Sequence, residues 1–369
     1  MGKMIKGVDR TLLFIILTLV TLGFFIFSSA SLGLLARDGA RFSSVAFSQI
    51  TFGIMGGSLG MFLTSQIYYR NWRKYAFYIF VATAVFTLAV FVPGIGFEHG
   101  GAKRWVSIGS FTMQPAELLK IGFIVYMATL LSGLSKSMHS FKNGTLPFLG
   151  VIAVVGCILL LQPDTDTFLL MGAAALAMFI VAGGSWRDVS IMLLAGIVLL
   201  ALLAVTRPYI MDRFTTFLNP TDDPQGKSYQ IQQSLIAIGS GGIAGRGFGQ
   251  SIQKFEYLPE PIGDSVFAVY AEEFGFIGGV LLIGLLSFFT FRGYKIATHS
   301  QDMFGMLLVV GIMTLIAMQA FLNIAAMLSL APLMGLPLPF VSHGGTALMA
   351  TLTAVGMVLN VSKYQKKIR

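Results

Sequence analysis

The sequence predicts an all-α polytopic membrane protein with about ten transmembrane helices and one large extracellular loop. Three observations predict this fold class: 55% of the 369 residues are hydrophobic, only 11% are charged, and the mean hydropathy is +0.79. Soluble proteins carry roughly 25% charged residues, so a water-soluble fold could not bury this much apolar surface. The net charge of +9 does not indicate nucleic acid, because most basic residues lie in short segments between apolar runs.

Ten apolar stretches approach the length of about 20 residues that a helix needs to cross the hydrocarbon core. They are 11–30, 45–68, 75–92, 114–132, 146–161, 167–183, 189–206, 265–291, 303–328 and 345–362. The first exceeds a signal-peptide core, so we interpret it as a retained span. The fifth and sixth are short and close together, so they form either two crossings or a re-entrant hairpin that reduces the count to eight. We expect residues 1–369 to form a single integral membrane domain.

Basic residues predict the orientation of the spans, because they accumulate on the cytoplasmic side. With the N-terminus inside, the cytoplasmic segments contain Lys3, Lys6, Arg10, Arg70, Arg73, Lys74, Lys136, Lys142, Arg187, Arg292, Lys295, Lys363, Lys366, Lys367 and Arg369. The short outer loops contain only Arg37, Arg41, Lys103 and Arg104. Both termini are therefore predicted to be cytoplasmic, in a multi-pass protein of the cell membrane. The loop 207–264, between the seventh and eighth spans, is predicted to face outward.

Asp264 is the main candidate functional residue, because it directly precedes the eighth span. Charge near a bilayer is costly, so a carboxylate at such a rim indicates a functional site. We expect this carboxylate to be ionised. The outward basic residues that accompany it would suit an acidic, lipid-linked substrate, since guanidinium and ammonium groups pair with phosphates. They are Lys103, Arg104, Arg207, Arg213, Arg246 and Lys254.

Two further groups of residues allow more than one interpretation. Glu117 and Lys120 lie three residues apart in the fourth span, which places them on one helix face, either as a structural ion pair or with Lys120 contacting a substrate head group. The glycine cluster 239–249 does not match a phosphate-binding loop, and it is either a plain loop or one that brings backbone N–H groups near an anion. Asp164 and Asp166 lack the additional ligands that a metal site needs.

Several motifs resemble one known family, the SEDS membrane glycosyltransferases of bacterial cell-wall synthesis, which include FtsW and RodA. In chain order these motifs are Lys103–Gly109, Gln114–Lys120, Gln162–Asp164, Phe217–Pro220, Gly239–Gly242, Tyr257–Glu260, Ala271–Gly275 and Leu338–Gly345. The segment Gly247–Leu258 is more similar to the division branch, FtsW, than to the elongation branch, RodA. The sequence departs from the family pattern at three places: the residues flanking Asp264, Asp166 in place of glycine, and His343 in place of tyrosine. The first and third of these concern contacts to the acceptor.

The resemblance implies polymerisation of lipid II into β-1,4 glycan strands at the outer membrane face. It implies that Asp264 is the general base and that Glu117 and Lys120 are the intramembrane charge pair. The expected substrate-binding residues are Lys103, Arg104, Arg213, Lys254, Glu260, Ser342 and His343. The implied partners are a class B penicillin-binding protein transpeptidase, other division proteins and membrane lipids. A divalent cation, Mg²⁺ or Mn²⁺, is compatible with the reaction, although no ligand set is visible in the sequence.

Two other classes of function compete with this interpretation. A transporter that flips lipid II would use the same intramembrane charges as a pathway, and a scaffold for division proteins would need no chemistry at all. The resemblance also leaves the elongation polymerase as an alternative to the division polymerase. The enzyme is favoured because a scaffold does not explain a carboxylate and basic groups gathered on one outer face.

Overall fold

The computed structural model describes residues 7–365 except 100–101, 109–110, 136, 139, 221–222, 224–225 and 227. Its helices are α1 Arg10–Ala30, α2 Leu32–Arg37, α3 Gly39–Ser48, α4 Gly57–Gln66, α5 Tyr69–Leu88, α6 Ala116–Leu134, α7 Leu146–Leu161, α8 Thr165–Val181, α9 Trp186–Thr206, α10 Pro208–Leu218, α11 Tyr229–Ser240, α12 Gln253–Glu256, α13 Val266–Thr298, α14 Met303–Met327 and α15 Gly345–Ser362. Gly109 of the first motif and the basic residues Lys3, Lys6, Lys136, Lys366, Lys367 and Arg369 lie outside the described residues.

The predicted membrane fold is confirmed. Within the described part of the chain, nine helical stretches are long and apolar enough to cross a membrane, and α8 is a shorter apolar helix of 17 residues. Together they correspond to the ten predicted spans. Some bounds differ: the first span continues through α2 to Arg37, and a π-helical segment, Gln49–Gly56, joins α3 to α4.

A small antiparallel sheet lies between α5 and α6, which the sequence analysis did not predict. Its order is β1 (Gly96–His99), β2 (Ala102–Ile108) and β3 (Phe111–Met113). In the register, Gly96 pairs with Val106 on one side and Val106 pairs with Met113 on the other. The sheet matters for the site because β2 carries Arg104.

Polar side chains fix where several of the apolar helices begin. The Asp9 carboxylate accepts from the Leu12 N–H at 2.8 Å, and the Asp302 carboxylate accepts from the Gly305 N–H at 2.8 Å. Such caps satisfy backbone donors that have no partner within the first helical turn. Helix α14, which Asp302 caps, is the central helix and packs against α6, α8, α13 and α15.

Helix α13 is interrupted at Gly275, whose φ of 65° and ψ of −164° are not helical. The loop 242–247 fills the interruption. Two of its N–H groups donate to the carbonyls of Glu272 and Glu273 at 3.0 and 2.9 Å, and two of its carbonyls accept from N–H groups just below the break at 2.9 and 3.2 Å. A broken membrane helix needs such partners, because unpaired backbone groups are costly in lipid.

This packing explains the glycine cluster. Gly245 has a φ of 82°, and a Cβ on it would lie 2.1 Å from the carbonyl oxygen of Glu273. Only glycine fits so close to another backbone without strain. The cluster is therefore a packed insert in α13, and the N–H groups of Arg246 and Gly247 already have partners in that helix.

Candidate functional site

Asp264 lies in a turn two residues before α13, and three hydrogen bonds hold the backbone of this turn. The Ser342 hydroxyl donates to the carbonyl of Gly263 at 2.7 Å, and the His343 N–H donates to that of Ile262 at 2.7 Å. The Asn323 amide donates to the carbonyl of Asp264 itself at 2.8 Å. The position of the carboxylate is therefore set by two other parts of the chain, α14 and the segment before α15.

The Asp264 carboxyl is partly buried, and its pKa is raised to about 7, mainly by burial. The negative charges of Glu260 and Asp166 contribute to this increase in pKa, while the positive charge of Arg213 opposes it. A carboxyl with this pKa is about half ionised at neutral pH. The ionised form that we expect is therefore present together with the protonated form, because the loop and its neighbours cover the carboxyl to an extent that the sequence does not show.

Asp166 and Arg213 form an ion pair whose charges act on Asp264. One nitrogen of the Arg213 guanidinium lies 2.6 and 2.7 Å from the two carboxylate oxygens of Asp166. The backbone N–H of Gly335 also donates to Asp166, at 3.2 Å. A Cβ on Gly335 would lie 3.7 Å from an oxygen of Asp264 and 4.0 Å from one of Asp166. The two carboxylates therefore both lie close to one glycine.

Arg104 stabilises the adjoining turn. Its guanidinium donates to the carbonyls of Pro163 and Gln162, and it lies 4.0 Å from the Asp164 carboxylate. Burial raises the pKa of Asp164, with Arg104 opposing the shift and Asp166 adding to it. Arg104 is thus occupied largely by the chain itself. Lys103, the preceding residue on β2, is exposed.

Glu260 is exposed and lies four residues before Asp264. Its φ of 46° is in the left-handed region, which non-glycine residues seldom adopt. The carbonyl of Glu260 accepts from the N–H groups of Gly263 and Ser265 at 3.0 and 3.2 Å. The turn therefore bends back on itself and brings the Glu260 charge near Asp264.

Lys254 does not lie where a substrate could reach it, which contradicts its predicted role. Its ammonium is fully buried and lies 2.7 Å from the Glu273 carboxylate and 3.0 Å from the Ser29 hydroxyl. A buried ammonium needs such partners because its desolvation is costly. Lys254 therefore fixes the loop to α1 and α13. Arg246, the other basic residue of this region, lies 3.5 Å from the carboxylate of Glu272.

Ser342 and His343, both predicted to bind substrate, lie beside the Asp264 turn. The Ser342 hydroxyl has a single hydrogen, which it donates to Gly263, while its oxygen accepts from the Leu338 N–H at 2.7 Å. Burial, with the charge of Arg41, lowers the pKa of His343 to about 4, so the ring is neutral at pH 7. It stacks on Phe27 with ring centroids 6.0 Å apart. The Ser342 hydroxyl and the backbone N–H of His343 thus support the Asp264 turn, and the neutral imidazole of His343 offers no positive charge to an anionic substrate.

The intramembrane pair is present as an ion pair. The ammonium of Lys120 lies 2.8 Å from the carboxylate of Glu117, and both side chains are buried. Lys120 also donates to the side-chain oxygen of Gln319 at 3.1 Å. A small cleft beside the pair is lined by apolar side chains of α6, α14 and α15.

Sequence reasoning missed Gln319 and Asn323. Both lie on α14, one helical turn apart, in a span that is otherwise almost entirely apolar. Polar side chains inside a membrane span are costly and indicate a function, so their spacing was a usable signal.

Comparisons with known proteins place these features in context. Residues 10–367 match the model of the FtsW/RodA/SpoVE family, described as cell cycle proteins. The chain is 38% identical to stage V sporulation protein E of Bacillus subtilis, over 97% of this chain and 98% of that protein. It is 36% identical to the probable peptidoglycan glycosyltransferase FtsW of Geobacter sulfurreducens, over 99% of each chain.

Two solved structures share the fold over nearly the whole chain. The first is a chain of a peptidoglycan synthase complex, whose structure is described as showing the structural coordination of polymerization and crosslinking. It matches with a TM-score of 0.76 and 29% identity, covering 97% of this chain and 99% of that one. The rod shape determining protein RodA of Thermus thermophilus matches with a TM-score of 0.70 and 27% identity, covering 98% of each.

Proposed function

The chain belongs to the FtsW/RodA/SpoVE family of cell cycle proteins, and we propose that it is a peptidoglycan glycosyltransferase that polymerises lipid II. One observation of the structure carries the proposal. A partly buried carboxyl, Asp264, lies at the start of a membrane helix with a pKa of about 7, close to the pH at which it would work. A general base is most effective when its pKa is near the operating pH.

The proposed reaction needs one base. The Asp264 carboxylate takes the proton of the acceptor sugar's 4-hydroxyl while that oxygen attacks the donor's anomeric carbon. The new carbon–oxygen bond forms as the bond to pyrophosphate breaks, and the electron pair leaves on the undecaprenyl diphosphate. Glycosidases typically need two carboxyl groups, but pyrophosphate is already a good leaving group. A single displacement inverts the anomeric centre and gives a β-1,4 link from an α-linked donor.

Binding of the pyrophosphate is the proposed task of the basic residues. Lys103 is exposed, whereas Arg104 and Arg213 have carboxylate neighbours. Lys103 is therefore the simplest candidate for direct contact, and the two arginines would contact the substrate while they keep Asp164 and Asp166 in place. A positioned base supplies about 10²–10⁴-fold, so alignment of the two sugars must supply much of the remainder.

A divalent cation has no complete ligand set in the described residues, where no three His, Cys, Asp or Glu side chains come together as metal ligands. We therefore assign no step to Mg²⁺ or Mn²⁺. If a cation takes part, the pyrophosphate oxygens would supply several of its ligands. Activity that EDTA abolishes and either metal restores would support its participation.

We further propose that the enzyme works in the bacterial cytoplasmic membrane with both termini in the cytoplasm. The proposed setting is cell division, in line with the relatives named FtsW. The proposed partner is a class B penicillin-binding protein, because one similar fold comes from a peptidoglycan synthase complex.

Polymerisation by purified protein tests the function. Wild type and Asp264→Asn are assayed with lipid II and the partner, and substrate binding is measured in parallel. We expect glycan chains from wild type only, with binding retained in the variant. Lipid II translocation without any chains would instead identify a flippase, and full complementation of a null strain by Asp264→Asn would identify a scaffold.

A further inference from the structure

We propose that Gln319 and Asn323 are positioning residues that connect the intramembrane Glu117–Lys120 pair to the backbone of Asp264. Both side chains are buried on α14, one helical turn apart. The proposal rests on Asp264 being the base, and it assigns the charge pair a supporting task in the same reaction.

Asn323 is the upper member of this connection and is fully buried. Its amide nitrogen donates both hydrogens, one to the carbonyl of Asp264 and one to that of Leu336, each at 2.8 Å. The opposite amide orientation would place an oxygen against two carbonyl oxygens, so the hydrogen bonds fix the assignment. The amide oxygen has no partner among the described residues. The two donated hydrogen bonds are therefore present although the amide oxygen of Asn323 is buried without a hydrogen-bond donor, which is energetically costly.

Gln319 is the lower member of the connection. Its side-chain oxygen accepts from the Lys120 ammonium at 3.1 Å, and its nitrogen donates to the carbonyl of Pro337 at 2.8 Å. Lys120 is itself held by Glu117 at 2.8 Å. The ion pair therefore fixes the orientation of the Gln319 amide, and through it one end of the segment 335–337.

The segment 335–337 is the common support of the two carboxylates. Its Gly335 N–H donates to Asp166, and its Leu336 carbonyl shares the Asn323 amide with Asp264. The connection thus links the backbone support of Asp264 to the hydrogen bond that Asp166 accepts. Both carboxylates lie close to Gly335.

Two expected effects of removing the Asn323 amide distinguish a positioning role from a contribution to the stability of the fold alone. Without the Asn323 amide, the Asp264 carbonyl is released and the carboxylate loses its alignment, and a misplacement of about 1 Å costs on the order of 10²-fold in turnover. The carboxylate also becomes more hydrated and moves away from Asp166. The other charged groups that face it, Glu260 and Arg213, are not held by Asn323. The acid limb of the pH–rate profile should therefore move to lower pH.

The experiment uses the full chain with its partner and lipid II as substrate. For Asn323→Leu we expect kcat to fall roughly 10- to 100-fold with KM within about twofold of wild type, together with the lower acid limb. Gln319→Leu should show a smaller change in the same direction. The double variant should be no worse than Asn323→Leu, because coupled residues are not additive. Thr314→Val is the matched control: Thr314 also lies on α14, and the substitution removes its partly buried hydrogen bond to Tyr294 of α13, which is 2.9 Å long.

The outcomes separate this proposal from the proposed function. If Asn323→Leu keeps the wild-type kcat and pH profile while Asp264→Asn is inactive, the positioning role of Asn323 and Gln319 is refuted and the proposed function stands. An equal loss in Thr314→Val would also overturn it, since any polar deletion in α14 would then suffice. Full activity of Asp264→Asn would overturn the proposed function instead. If Asn323→Leu does not fold, Asn323→Ser carries the same expectations, because serine is too short to make both bonds.

Discussion

Replacing Glu260 with glutamine should increase the rate of polymerisation in acid. The pKa of Asp264 is about 7 because of burial first, and then because of the charges of Glu260 and Asp166. Removing the Glu260 charge lowers that pKa, but burial keeps it above the ordinary aspartate value of about 3.9. A base works only when deprotonated, so the variant keeps more of its base active below pH 7.

The expected size follows from the ionised fraction of Asp264. With a pKa of about 7, about 9% of the wild-type carboxyl is ionised at pH 6. If the Glu260 charge changes the acid dissociation constant of Asp264 about tenfold, equivalent to about 1.4 kcal/mol, its removal would bring the ionised fraction to about 50% and raise the rate about fivefold. At pH 8 the two fractions are about 91% and 99%, so the rates should agree within about 10%.

The assay measures initial rates of glycan-chain formation from lipid II across this pH range. Glu256→Gln is the matched control, because Glu256 is an exposed carboxylate on α12 that does not contribute to the pKa shift of Asp264. An acid-limb midpoint that stays in place or rises in Glu260→Gln would refute the reasoning. So would an equal downward shift in the control, since net charge alone would then explain it.

Three further predictions concern packing. Gly335→Ala should fold, because its methyl group would make ordinary contacts with the carboxylates of Asp264 and Asp166 at 3.7 and 4.0 Å. The methyl group would exclude water from Asp264, so the acid limb of the pH–rate profile should move to higher pH. Gly275→Ala should lower stability by roughly 1–3 kcal/mol in thermal unfolding, because alanine is strained at a φ of 65°; Gly284→Ala, in open space on the same helix, should not. Lys254→Met should cost roughly 3–5 kcal/mol, because it leaves the Glu273 carboxylate buried without its ammonium. An unfolding temperature equal to that of wild type would contradict either stability prediction.

Features that depend on neighbouring residues were predictable from the sequence. The spans follow from runs of apolar residues, and the contact between Glu117 and Lys120 follows from their spacing of three residues on one helix. The location of Asp264 before the eighth span is equally local. Each of these needs only the geometry of a single helix.

Features that depend on distant parts of the chain were not predictable from local patterns. The burial of Lys254 requires Ser29, 225 residues away, and the support of Asp264 requires Asn323, 59 residues away. The glycine cluster became interpretable only beside the break at Gly275. In each case a residue that looked available in the sequence is occupied by a partner that tertiary packing brings to it.

The break in α13 also determines the height at which Asp264 stands above the lipid. At 1.5 Å per residue, the 33 residues of α13 measure about 50 Å, whereas the hydrocarbon core is about 30 Å thick. Below Gly275, residues 276–298 measure about 34 Å and begin with the strongly exposed Phe276 and Ile277. The preceding residues 266–274, about 14 Å of helix, are enclosed by protein. In the proposed orientation, Asp264 would therefore stand above the hydrocarbon core, where the sugars of the donor would lie, while the polyprenyl tail of the donor would remain within that core.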